Sequence, residues 1–136
     1  MVVLMGGRAA EEVIFGEVST GAADDLAKVT DIARQCVTRF GMDPTVGQAV
    51  LEEQRLQWLG DSPGLPNKKD YSEATAREVD VAVRGMIDEA FARARDVLRE
   101  RITDLRAGAK LLLEKETLTP DDFAPLRRAA VLVPAA

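Results

Sequence analysis

Residues 71–101 read YSEATAREVDVAVRGMIDEAFARARDVLRER, and this stretch decides the fold class. Ala76, Val79, Val83, Met86, Ile87, Ala90, Phe91, Ala94, Val97 and Leu98 recur at three- and four-residue intervals, which lays them along one face of a helix. Ser72 is suited to cap the first turn. The spacing therefore predicts a helix that starts at Ser72 and runs past Phe91 without a break, roughly 40 Å at 1.5 Å per residue. Gly85 is its one weak point, costing about 1 kcal/mol against Ala. A single apolar stripe of that length has to be covered by other helices. The expectation is an all-α fold of four to five packed helices with a small irregular β-hairpin.

Working towards the N-terminus, Leu26, Val29, Ile32, Ala33, Cys36, Val37 and Phe40 keep the same helical spacing. Ser19-Thr20-Gly21 opens this helix, Asp24 and Asp25 occupy its first turn, where the dipole favours negative charge, and Gly41 closes it. The stripe of the long helix is expected to pack on it through Ile32 and Cys36. Before it, Val2–Phe15 carries Leu4, Ala9, Ala10, Val13 and Ile14 at helical spacing, interrupted by Gly6-Gly7 and ended by Gly16 as a C-terminal cap. Paired glycines weaken a helix and are tolerated where another backbone or a metal site approaches closely.

Between the two central helices, Gly47–Gly60 alternates unevenly and predicts a short hairpin, and Asp61–Lys69, with its prolines and lysines, predicts a loop. Towards the C-terminus, a shorter helix is expected from about Ile102 to Glu114, with Leu105, Ala109, Leu112 and Leu113 on its buried side. Thr119-Pro120-Asp121-Asp122 reads as the capped start of a last short helix that stops near Arg128.

The chain has 136 residues, 46% hydrophobic and 30% charged, which fits one globular domain with a real core. Aromatic residues are only 4%, so Leu, Val, Ile and Ala must build that core. A net charge of −5 argues against a nucleic-acid partner. Arg93, Arg95, Arg99 and Arg101 alternate with Asp96 and Glu100 and read as a solvated helix face. The lone Cys36 excludes an intramolecular disulfide and reads as a small buried apolar residue. The absence of His excludes His-based triads and any His-containing metal site made by this chain alone. No run approaches a transmembrane helix in length, and Met1–Met5 is too short for a signal peptide and reads as the middle of an element.

Three stretches carry a family resemblance: Gly6-Gly7-Arg8-Ala9-Ala10-Glu11-Glu12-Val13-Ile14-Phe15-Gly16; Ser19-Thr20-Gly21-Ala22-Ala23-Asp24-Asp25-Leu26, continuing to Phe40-Gly41-Met42; and Tyr71-Ser72-Glu73 through Ala76 and Asp80 to Leu112-Leu113-Glu114-Lys115-Glu116-Thr117-Leu118. Together, in this order and over almost the whole chain, they resemble the peptidase domain of the FtsH family, membrane-anchored AAA+ proteases of bacteria, mitochondria and chloroplasts.

The resemblance implies a zinc chemistry. Family members carry H-E-x-x-H on an upstream helix, where two His at i, i+4 bind zinc and the Glu acts as general base toward water. Their third protein ligand is the Asp of a T-G-A-x-N-D motif. Asp25 takes that place here, and Asp24 stands where the family usually has Asn. Beside two imidazoles, a carboxylate oxygen suits a catalytic zinc with one open position. Glu11 is the expected partner near the metal, at a position where a carboxylate could support a His ligand. Each acid also has a purely structural reading: Asp24 and Asp25 as helix-start charges, and Glu11 as an exposed group paired with Arg8. FtsH-like peptidases bind extended substrate beside a strand edge, which would give the hairpin a role.

By the same resemblance, residues 1–128 are the C-terminal part of a peptidase domain and residues 129–136 a tail, expected to be disordered. H-E-x-x-H is absent, and a single carboxylate holds zinc too weakly to organise a site. The chain is thus expected to be a piece of a larger ATP-dependent zinc metalloendopeptidase, inactive alone, with zinc in the parent and ATP and magnesium on a separate AAA+ domain. The implied partners are the upstream part of the same protease, a homo-hexamer, and unfolded or membrane polypeptide substrates. The implied location is a soluble domain of a membrane-anchored protease, on the cytoplasmic face in bacteria. The rival expectations are a catalytically dead helical oligomerisation or partner-binding module, and an unrelated acidic helical interaction domain.

Overall fold

The computed structural model describes residues 1–51 and 71–122. Four α-helices follow in order: α1 (Gly6–Phe15), α2 (Ala23–Thr38), α3 (Glu73–Glu100) and α4 (Ile102–Lys115), with a 3-10 turn at Thr20–Ala22 leading into α2. The fold is all-α, and no strand occurs among the described residues. Of the expected hairpin, residues 47–51 are irregular and the remainder lies outside the described residues. So do the 61–69 loop, the last short helix beyond Asp122, and the 129–136 tail. Two compact units are formed, Met1–Asp96 and Val97–Ala136.

In the first unit, α3 starts where its cap requires. Ser72 Oγ accepts the Thr75 N–H at 3.2 Å, and the Ser72 carbonyl accepts the Ala76 N–H at 2.9 Å. The helix then runs unbroken through Gly85 to Glu100. Its buried face is Ala76, Val79, Val83, Ala90 and Ala94. Val79 and Val83 pack with Ala33 and Val37 of α2 into the core, and Met1, Val46, Leu51, Ala82, Met86 and Ile87 pack around them. Full burial of a Val contributes about 1.5–3 kcal/mol, so this small cluster is a principal source of stability in the unit.

The packing face of α2 differs from expectation. Val29, Ala33 and Val37 are buried, whereas Ile32 is 38% exposed and Cys36 is half-buried. Ala33 and Val37 of this row meet α3, and the row one residue earlier lies about 100° away around the helix. Thr38, the buried polar residue of the set, donates its hydroxyl to the Arg34 carbonyl. Phe40, expected on the apolar face, is exposed because the helix has already ended at Thr38.

Beyond that end, Gly41 adopts φ +59°, and Met42 N–H returns to the Cys36 carbonyl. The chain then folds back so that Leu51 N–H reaches the Thr38 carbonyl at 2.7 Å. At the other end of the unit, Gly6-Gly7 form the first turn of α1 rather than interrupting a longer helix. A Cβ on either would meet nothing within 4 Å, so no close approach by a described element accounts for them. Gly16 caps α1 as expected, at φ +78° with its N–H on the Glu12 carbonyl.

In the second unit, α4 has no buried residue. Leu105 is half-buried and Ala109 is exposed, while Leu112 and Leu113 are 46% and 84% exposed. This corrects the expected buried side: helical spacing places these side chains along one helix without determining whether anything covers them. After α4, Thr119 and Asp122 are tied to each other where the last helix is expected to start, and that helix lies outside the described residues. Asp122 accepts from both the backbone N–H and the hydroxyl of Thr119, and also pairs with Lys115. These contacts hold the Asp122 carboxyl at about 2, below its ordinary 3.8, with the Lys115 hydrogen bond as the largest cause.

Candidate functional site

The segment between α1 and α2 brings together the acidic residues singled out by sequence. Ser19 is extended, at φ −100° and ψ −180°, and its Oγ accepts the Gly21 N–H at 3.2 Å, starting the 3-10 turn. Ala23 N–H closes on the Thr20 carbonyl, and α2 continues directly from there. Asp24 and Asp25 therefore sit in the first turn of α2, where the helix dipole favours negative charge.

Asp24 is exposed. Asp25 is half-exposed, with one oxygen 3.9 Å from Lys28 Nζ. A solvated ion pair of that length is worth little. It leaves the carboxylate able to take a cation. No three His, Cys, Asp or Glu side chains come together among the described residues. A complete site around Asp25 would thus need donors from beyond this set.

Glu11 is bonded to Ser19, a tie that neither sequence reading contains. Its Oε2 accepts the Ser19 N–H at 2.9 Å and its Oε1 accepts the Ser19 hydroxyl at 2.6 Å. These two hydrogen bonds, the hydroxyl one first, hold the Glu11 carboxyl below its ordinary value, with a smaller contribution from the charge of Arg8. The pair forms part of the wall of an open cleft of about 360 Å3 lined by Glu11, Phe15, Glu17, Val18 and Ser19, so its hydrogen bonds compete with water.

The neighbouring Glu12 points elsewhere and accepts from Arg95 Nη1 of α3 at 3.0 Å. The Arg95 guanidinium also lies 5.7 Å from the centre of the Phe91 ring. Sequence reading missed both ties. By its spacing Arg95 belongs with the solvated arginines, and Ser19 reads only as a helix opener. A serine ahead of an acidic helix start carries no sign that its own N–H and O–H are claimed by a glutamate eight residues earlier.

The sequence profile of Peptidase family M41 matches residues 1–126. Among similar proteins are an ATP-dependent zinc metalloprotease FtsH of Pseudomonas putida, 62% identical over 96% of this chain, and one of Paraburkholderia phymatum, 47% identical over 93%. The chloroplastic ATP-dependent zinc metalloprotease FTSH 5 of Arabidopsis thaliana is 44% identical over 93% of this chain. The matched regions make up 21%, 20% and 18% of those proteins, so the chain spans about a fifth of the length of the curated relatives it matches.

Proposed function

The chain belongs to peptidase family M41, the family of the FtsH-type zinc metalloproteases, and from that premise we propose that it works as the C-terminal part of the peptidase domain of an ATP-dependent zinc metalloendopeptidase. Residues 1–128 are the domain portion in this reading and residues 129–136 a tail. The observation that carries it is the placement of Asp25: a half-exposed carboxylate with only a weak partner, in the first turn of a helix that Val29, Ala33 and Val37 anchor in the core.

In this reading Asp25 gives one oxygen to zinc, and two imidazoles from an H-E-x-x-H helix outside this chain complete the protein ligands. Zinc, when bound, supplies Lewis-acid polarisation of water and of the scissile carbonyl. Asp25 contributes the charge that holds the ion and limits its field. Asp24 adds a second negative charge beside the ligand. Glu11 lies close to the same segment, where it stiffens the approach to it. Alone, the chain is inactive, since it cannot assemble the donor set.

For the whole protease we propose a homo-hexamer that is membrane-anchored, with this domain on the soluble side, facing the cytoplasm in bacteria. ATP and magnesium on a separate AAA+ domain would drive translocation of unfolded or membrane polypeptides to the zinc site. No helix among the described residues is long and apolar enough to cross a membrane, so an anchor would lie elsewhere.

The test is a pair of substitutions in the full-length protein. Asp25→Asn keeps the size of the side chain but loses its charge; it is expected to strip zinc and sharply lower peptidase rate while leaving ATP hydrolysis nearly intact. Asp24→Asn is expected to do much less. Equal, mild effects of both on zinc content and peptidase rate would remove Asp25 from the site and leave both residues as helix-start charges, worth about 0.3–1 kcal/mol each.

A further inference from the structure

We propose that Glu11 is a positioning residue for Asp25 and acts through Ser19. The proposal rests on the reading of Asp25 as a zinc ligand. Three observations carry it. First, Glu11 uses both oxygens on one residue, taking the N–H and the O–H of Ser19 at 2.9 and 2.6 Å. A carboxylate gripping a backbone N–H and its own side-chain hydroxyl fixes that residue in both position and rotation. Second, Ser19 is where the chain changes from extended to helical, and its hydroxyl oxygen holds the Gly21 N–H at 3.2 Å. From Thr20 onwards the 3-10 turn and α2 are continuously helical, so little torsional freedom separates the gripped residue from Asp25. Third, the helix that carries Glu11 is itself tied down, because Glu12 is bonded to Arg95 of α3 at 3.0 Å.

The two adjacent glutamates thus divide the work. Glu12 fixes α1 against α3, and Glu11 fixes the start of α2 against α1. A metal ligand has to be held to within a few tenths of an ångström, and the residues that orient ligands typically contribute about 10–100-fold to metal affinity. Glu11 gives that support from the Asp25 side of the site. It needs no contact with zinc or with an imidazole to do so.

The experiment uses the full-length protein that contains this chain, loaded with zinc or with cobalt(II). Glu11→Gln, Ser19→Ala, their double variant, Ser19→Thr and Asp25→Asn are compared by the rate at which a chelator strips zinc, by the cobalt absorption bands, and by Tm. Glu11→Gln and Ser19→Ala are each expected to lose zinc about 10-fold faster and to shift the cobalt bands. The double variant should be no faster than the quicker single one, because the two changes break one interaction. Ser19→Thr keeps both donors and should behave as wild type. Should Glu11→Gln fail to fold, Ser19→Ala and Ser19→Thr decide.

A lowered Tm with wild-type zinc release and unchanged cobalt bands would overturn the proposal, leaving a clasp that only stabilises. Multiplying effects in the double variant would overturn it as well. Zinc retained at wild-type level by Asp25→Asn would sink the ligand reading and the clasp with it. Zinc lost by Asp25→Asn but held normally by the clasp variants would sink the clasp alone.

Discussion

Gly41→Ala should destabilise the chain well beyond Gly16→Ala, and the difference measures how tightly the turn after α2 is packed. Both glycines have positive φ, +59° at Gly41 and +78° at Gly16. An alanine in that left-handed region costs roughly 1–2 kcal/mol at either site. Their surroundings differ. A Cβ at Gly16 meets nothing within 4 Å, whereas at Gly41 it would lie 3.0 Å from Gln48 Cα and 3.2 Å from the Gly47 carbonyl oxygen. Both neighbours are backbone and cannot swing aside, so the strain should add about 1–3 kcal/mol. The sum is about 2–5 kcal/mol at Gly41 against about 1–2 at Gly16. The turn must also deliver Val46 and Leu51 to the core, so its loss should loosen α2 against α3. Urea unfolding followed by far-ultraviolet circular dichroism reads both variants on one scale. Equal destabilisation of the two would refute the argument, since it would mean the 47–48 backbone yields freely.

The observed face of α2 gives a second test: Val37→Ala should cost about 2–3 kcal/mol and Ile32→Ala under about 1, measured by the same unfolding. Equal costs would place Ile32 in the core after all. The tie between Thr119 and Asp122 after α4 should be acid-sensitive. The Asp122 carboxyl is held at about 2, below its ordinary 3.8, so its stabilising contribution is fully present above pH 3.8 and is lost as pH falls through 2. Amide exchange at Thr119, whose N–H Asp122 accepts, should accelerate over that window relative to a nearby uncapped amide, and Asp122→Asn should abolish the extra acceleration.

Much of the secondary structure was legible in the residues themselves. The stripe from Ala76 to Leu98, the Ser72 cap and the Gly16 stop are local signals, because helical hydrogen bonds join residues four apart and caps act within a turn. The motif around Asp25 was equally legible, since its order along the chain carries it. Three things were decided only by tertiary structure. α2 turned Ala33 and Val37 to α3 instead of Ile32 and Cys36, because both rows are apolar and only the fit of distant side chains chooses between them. α4 left Leu112 and Leu113 open, because amphipathic spacing specifies a face without supplying its cover. Glu11 and Glu12, identical in sequence terms, parted to Ser19 and to Arg95, because neighbours on a helix point about 100° apart and each meets whatever the fold has brought to that side.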